Sequence, residues 1–189
     1  MRRRVVVTGL GCLTPVGNDV TTTWNNLLKG VSGVDYITHF DASTFPSKIA
    51  GEVKQFDPTT LPVDKKLLHY SGRVAQLGIA AALMAVEDAH LVIEKLDLTR
   101  VGSSVGASGE YPNIDQLSYY YRFKKEKGWD YKAFANLARV PSNWLFQRSS
   151  HTVSLVMARL FKLLGPNITT HTACASGSHS IGQAFRMIE

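Results

Sequence analysis

The C-terminal stretch from residue 150 onward narrows the possible folds more than any other part of the chain. In "SHTVSLVMARLFKLLGP", Val153, Val156, Met157, Leu160, Phe161 and Leu164 recur at the spacing of one helix face, and Gly165-Pro166 stops it. "NITT", residues 167–170, is a β-branched strand. "ASGSHSIGQAFRMIE" turns helical again, with Ile181, Ala184, Phe185 and Ile188 on one side. A helix, a strand and a helix in direct succession must stack in layers to bury their apolar sides. This points to an α/β architecture, with a mixed buried sheet and helices on both faces.

The rest of the chain repeats the alternation. "RRRVVVTGLG" predicts a buried strand ended by glycines, and "NDVTTTWNNLLKG" a short helix capped by Asn18 or Asp19, with Gly30 past its end. "KIAGEVKQF" predicts a short, more exposed strand. "DKKLLHYSGRVAQLGIAAALMAVEDAHL" predicts one long helix whose small, apolar middle suits burial between layers. "RVGSSVGAS" predicts another strand, and "NIDQLSYYYRFKKEKG" an amphipathic, exposed helix. Residues 1–189 read as one continuous globular domain, without repeats, low-complexity tracts or linkers. The helical pattern still runs at Glu189, so the expectation is a chain that stops within a helix.

Composition supports a packed core, with 44% hydrophobic and 19% charged residues. No stretch has the unbroken apolar length of a membrane span, and the apolar run after "MRRR" is too short for a signal peptide. The net charge of +6 favours an acidic partner. Basic residues are scattered and match no nucleic-acid module, so an acidic protein fits at least as well as nucleic acid. Two cysteines, Cys12 and Cys174, supply neither a metal spacing nor a disulfide framework; reduced cytoplasmic thiols are the expectation.

Cys174 stands where the strand meets the helix. Such a turn pushes a side chain clear of the backbone, and the free N–H groups of the first helical turn favour negative charge on the sulfur. Ala173, Ala175, Ser176 and Gly177 leave room for a carbonyl to approach both the sulfur and a backbone N–H. Neighbouring residues exclude some chemistries. A phosphatase-type loop requires arginine where Ser180 stands, a hydrolase elbow requires glycines where Thr172 and Ser176 stand, and no CxxC pair is present. Position alone leaves Cys174 open to two readings, a nucleophile or a small buried apolar residue. Cys12, with no helix start behind it, reads as structural. His171 and His179 are not spaced to take the thiol proton.

"GPNITTHTACASGSHSIGQAFRMI" resembles the active-site segment of the elongating β-ketoacyl-[acyl-carrier-protein] synthases, with Gly165-Pro166, a short strand, and Thr172-Ala173-Cys174-Ala175-Ser176-Gly177 opening a helix. "RRRVVVTGLGCLTPVGNDVTTTWNNLLKGVSGV" and "FDASTFPSKIAGEVKQFDP" are similar to that family's N-terminal segments. The resemblance implies a thiolase-like fold, layered α-β-α-β-α in the full enzyme, and a homodimer. It implies that Cys174 takes an acyl group from acyl carrier protein (ACP), with its backbone N–H in the oxyanion hole. Decarboxylation of malonyl-ACP then yields the carbanion that attacks the acyl-cysteine. The resemblance implies no bound cofactor or metal, since substrates arrive on the carrier's phosphopantetheine arm. By position it places Lys65, Lys66 and Arg73 against the acidic carrier, whose docking a basic rim would steer.

The family's catalytic histidines and second oxyanion-hole loop belong to its C-terminal half, and their motifs are absent from this sequence. The expectation is therefore the N-terminal half of such an enzyme. "VGASGEYP" and "NWLFQRSSHTV" depart from the family's usual pattern, which leaves acyl-chain preference open. A polyketide-type ketosynthase subunit and a non-catalytic chain-length partner are the alternatives, and the presence of Cys174 argues against the second.

Overall fold

The structure, a computed structural model, describes residues 3–108, 112–137 and 139–189. Residues 109–111 of the divergent "VGASGEYP" stretch lie outside the described residues. Helix α1 (Val20–Leu28) begins where the Asp19 carboxylate accepts the Thr22 N–H at 2.7 Å, and the chain leaves it through Gly30 at a φ of 68°. Strands β1 (Val34–Tyr36) and β2 (Ile49–Gly51) then pair antiparallel. The buried Glu52 follows, and its carboxylate accepts from the Thr38 hydroxyl at 2.7 Å and from the Thr38 and His39 N–H groups. One side chain thereby ties both sides of the loop that joins the strands.

The expected single long helix is two. Asp64 caps α2 (Lys65–His69), and α3 (Arg73–Asp88) restarts at Gly72. The break has a local cause. Ser71 turns its hydroxyl back onto the Leu67 carbonyl at 2.7 Å, and Gly72 takes an extended conformation, φ −72° and ψ 171°. Past the break, α3 buries Ala75, Ile79 and Ala80, with Ile79 at 0% exposure. Ile79 meets Val156 and Met157 of α7 (Thr152–Leu160), with Val63 and Leu68 closing the cluster. Helix α7 ends earlier than Gly165-Pro166. Lys162 at a φ of 53° turns the chain first, so Leu164 is 71% exposed instead of joining the core face.

Strands β3 (Ser103–Gly106) and β4 (Asn167–Thr170) form a separate parallel pair, so the sheet is not one mixed sheet. Adjacent β4 residues show how it is covered. Thr169 bonds Ser154 of α7 at 2.7 Å, and Thr170 bonds Gln183 of α8 (Ser176–Ile188) at 2.8 Å. Successive side chains point to opposite faces, so α7 and α8 flank the pair. This agrees with the expected helix–sheet–helix stacking.

Between β3 and α7 the chain makes an aromatic excursion. Asn113 and Gln116 cap the start of α4 (Ile114–Tyr121) reciprocally, and the helix ends at Tyr121, earlier than the amphipathic pattern predicts. A turn through Gly128 pairs Lys124 with Trp129, and α5 (Tyr131–Leu137) and α6 (Ser142–Gln147) follow. The excursion docks on α2 through Gln147, whose amide donates to the His69 carbonyl at 2.9 Å, and through the edge-on rings of Tyr70 and Phe146.

The predicted N-terminal strand does not form. Residues 3–13 belong to no strand, and Val7 is 79% exposed. The segment lies instead along α3. A Cβ on Gly9 would fall 2.2 Å from the Ala85 carbonyl oxygen, and one on Gly11 would fall 2.0 Å from that of Ala81. The Leu10 N–H donates to Asp88 at 2.8 Å. Two glycines facing alanines allow a backbone-to-helix contact with no room for side chains, and Val6 and Val7 are left outward.

Candidate functional site: the strand-to-helix elbow at Cys174

β4 ends at Thr170, and after a 3₁₀ turn over Ala173–Ala175 the chain enters α8. Cys174 occupies the middle of that turn and is exposed, so the reading of a buried apolar filler does not fit its place. Ala173 adopts a φ of 49°, a left-handed conformation that costs an L-residue about 1–2 kcal/mol. Strain of this kind persists only where surrounding bonds hold it.

Several bonds do. The Thr172 N–H donates to the Ser176 hydroxyl oxygen at 2.8 Å, and the same hydroxyl donates to the Ala173 carbonyl at 2.8 Å. The Ala175 N–H closes the turn on the Thr172 carbonyl at 3.1 Å. Beneath it, a Cβ on Gly106 would lie 2.3 Å from the Ser176 carbonyl oxygen, so the end of β3 touches the backbone at the start of α8. Only glycine permits this approach. Ser104 adds a bond from its hydroxyl to the Ser180 carbonyl at 2.9 Å. Sheet and helix together thus hold the nucleophile candidate on a fixed turn, open to solvent.

His179 lies on α8 with its Nδ1 2.8 Å from the Thr172 hydroxyl, so it steadies the outer side of the elbow. Cys12 is partly buried, and its thiol lies 3.6 Å from the Thr23 hydroxyl, in keeping with a structural role. Among the described residues no cluster of three or more His, Cys, Asp or Glu side chains is placed to hold a metal ion. No described helix is long and apolar enough to cross a membrane.

The three basic residues singled out by position differ in their surroundings. Lys65 and Lys66 stand exposed on the first turn of α2. Arg73 is half-buried, donates to the Phe56 and Val53 carbonyls at 3.2 Å each, and lies 4.8 Å over the Phe56 ring. It acts as a strut for the 53–56 loop, where Gln55 takes a φ of 55°. The strut and the Ser176 bonds were not visible to sequence reasoning, because each depends on carbonyls that only folding brings near.

This fold has known counterparts. A family described as "Beta-ketoacyl synthase, N-terminal domain" matches residues 2–189. The chain is 38% identical over 188 residues to 3-oxoacyl-[acyl-carrier-protein] synthase 2 of Coxiella burnetii, covering 99% of this chain and 42% of that protein. A solved β-ketoacyl synthase from Burkholderia phymatum STM815 superposes with a TM-score of 0.74 at 25% identity, covering 98% of this chain and 43% of the other. The ishigamide ketosynthase/chain length factor superposes with a TM-score of 0.71 at 25% identity, covering 98% and 45%. The chain therefore spans less than half the length of these relatives. Matched from its second residue to its last, and folded in the thiolase-like α/β manner of ketosynthases, it belongs to the β-ketoacyl synthase N-terminal domain family.

Proposed function

We propose that this chain carries the acyl-loading site of a 3-oxoacyl-[acyl-carrier-protein] synthase of fatty-acid biosynthesis. The observation that carries the reading is Cys174, exposed on a braced strand-to-helix elbow within the region matched to the family. Its thiolate attacks the carbonyl of an acyl-ACP thioester, the carrier's pantetheine thiolate leaves, and the acyl group remains on Sγ. In the complete reaction the acyl-cysteine is attacked by the carbanion from malonyl-ACP, which gives 3-oxoacyl-ACP and carbon dioxide. No residue of this chain is assigned to the decarboxylation. The 38% identity to a 3-oxoacyl-[acyl-carrier-protein] synthase 2 supports the fatty-acid reading.

Acyl and malonyl groups arrive on ACP, with no bound cofactor. Lys65 and Lys66 form the docking edge for that acidic partner, supported by their exposure and by the net charge of +6. The intact enzyme works as a homodimer in the cytoplasm, a compartment that suits the free thiols of Cys12 and Cys174.

Intact mass after incubation with a fatty acyl-ACP tests the reading, with Cys174→Ala alongside. A single acyl adduct that disappears in the variant is the expected result. Folded protein that gains no adduct would refute loading by these residues alone. Reversing Lys65 and Lys66 to glutamate should weaken acyl-ACP binding about tenfold at low salt and less at high salt. Binding unchanged across the salt series would remove those two lysines from the docking edge.

A further inference from the structure

We infer that Ser176 is a positioning residue for acyl transfer: its hydroxyl sets the direction of the Cys174 N–H. The inference rests on the proposed acyl-loading role of Cys174 and extends it to a residue not in contact with substrate.

The argument follows from peptide geometry. The Ala173 carbonyl and the Cys174 N–H belong to one peptide unit, which is planar and trans, so they point in opposite directions. The Ser176 side-chain hydroxyl donates to that carbonyl at 2.8 Å, and the Ser176 N–H donates to it as well. Two donors from the start of α8 hold the carbonyl toward the buried Ser176, so the N–H of the same plane points away from it, free to meet a developing oxyanion. The same hydroxyl oxygen accepts the Thr172 N–H at 2.8 Å, so it bridges the backbone on both sides of Ala173, the residue at a φ of 49°. One hydroxyl thus uses its donor and an acceptor to brace the strained residue that fixes the plane. Ser176 is only 3% exposed, so water does not readily replace the hydroxyl if it is removed. The Thr172 N–H would then lose its partner, and the peptide plane would lose one of its two restraints.

Alkylation and acyl transfer separate positioning from general damage. Iodoacetamide alkylates the thiolate without an oxyanion, whereas acyl transfer from a thioester develops negative charge on oxygen and depends on an aimed N–H. Complete loss of an oxyanion-hole donor costs on the order of 100-fold or more, so partial misdirection should cost about tenfold. In Ser176→Ala, loading of Cys174 from a fatty acyl-ACP is expected to slow about tenfold, while the rate and pH profile of iodoacetamide alkylation change less than about twofold. Ser180→Ala is the control. That serine is also buried on the same helix, and its hydroxyl bonds the Gly177 carbonyl rather than the Ala173 carbonyl, so loading should stay unchanged. Equal loss of alkylation and loading in Ser176→Ala, or equal loss in both variants, would overturn the inference. So would unchanged loading in Ser176→Ala. If the unaltered protein takes no acyl group, the loading reading fails on its own. The amide resonance of Cys174 in ¹⁵N-labelled protein then decides the inference, since a resonance unmoved by Ser176→Ala overturns it and a shifted one, with Ser180→Ala silent, supports it.

Discussion

Arg73 illustrates how the folded context changes the meaning of a charged side chain. Its guanidinium reaches two backbone carbonyls and one ring face at once, a geometry that a lysine ammonium does not reproduce. Arg73→Ala should destabilise the protein by about 1–3 kcal/mol, and Arg73→Lys should recover little of that in urea unfolding. Lys66→Glu, at an exposed site, should leave stability within about 0.5 kcal/mol. If Arg73→Ala unfolds at the same urea concentration as the parent protein, the strut contributes no stability and its charge is available to a partner.

At the scale of elements, two contacts decide how neighbouring segments lie. Gly11 lets the N-terminal segment rest on the α3 backbone, and Gly11→Ala forces a Cβ to within 2.0 Å of the Ala81 oxygen. Overpacking of this kind costs about 1–3 kcal/mol, to be read from thermal melting; an unchanged melting temperature would mean that the segment is not docked in solution. The second contact depends on pH. The Thr38 hydroxyl, foremost, and the Thr38 and His39 N–H groups hold the Glu52 carboxyl below its ordinary value of 4.5, against the opposing effect of burial. A carboxyl with a lowered folded-state pKa contributes stability that is fully present above its unfolded value and is lost as pH falls through the folded value. Glu52→Gln should therefore flatten the fall in melting temperature on acidification below about pH 4.5. A slope as steep as in the parent protein would assign the acid sensitivity to other carboxylates.

At the scale of the whole molecule, α8 leaves an apolar side open. Ile181 is 73% exposed, and Phe185, Met187 and Ile188 are exposed with it. Leu164 and the N-terminal Val6 and Val7 add further apolar surface elsewhere on the molecule. Exposed apolar area of this kind drives association. Light scattering should show a mass that rises with concentration, and replacing Ile181 and Ile188 with serine should reduce it. A monodisperse monomer over the same range would contradict this expectation. Mutation within the main core acts differently. Ile79→Ala, at 0% exposure between α3 and α7, should cost about 2–5 kcal/mol without altering association.

What the sequence determined was local. Asp19 caps α1 and "NITT" forms a strand because their signals lie within a few residues of the structure they specify. Cys174 was legible as a hinge residue for the same reason. Its family motif was legible because small residues must surround an approachable sulfur. Tertiary structure decided whatever depends on distant partners. Val5, Val6 and Val7 have strand propensity, but a strand needs a neighbour to receive its N–H and C=O groups, and the contact available to that segment is the α3 backbone. Arg73 became a strut because the 53–56 loop folds over it. The peptide plane at Cys174 was likewise outside the reach of pattern. It rests on a φ of 49° at an alanine, and residue preference alone would not place an alanine there without the Ser176 bonds and the Gly106 contact that hold it.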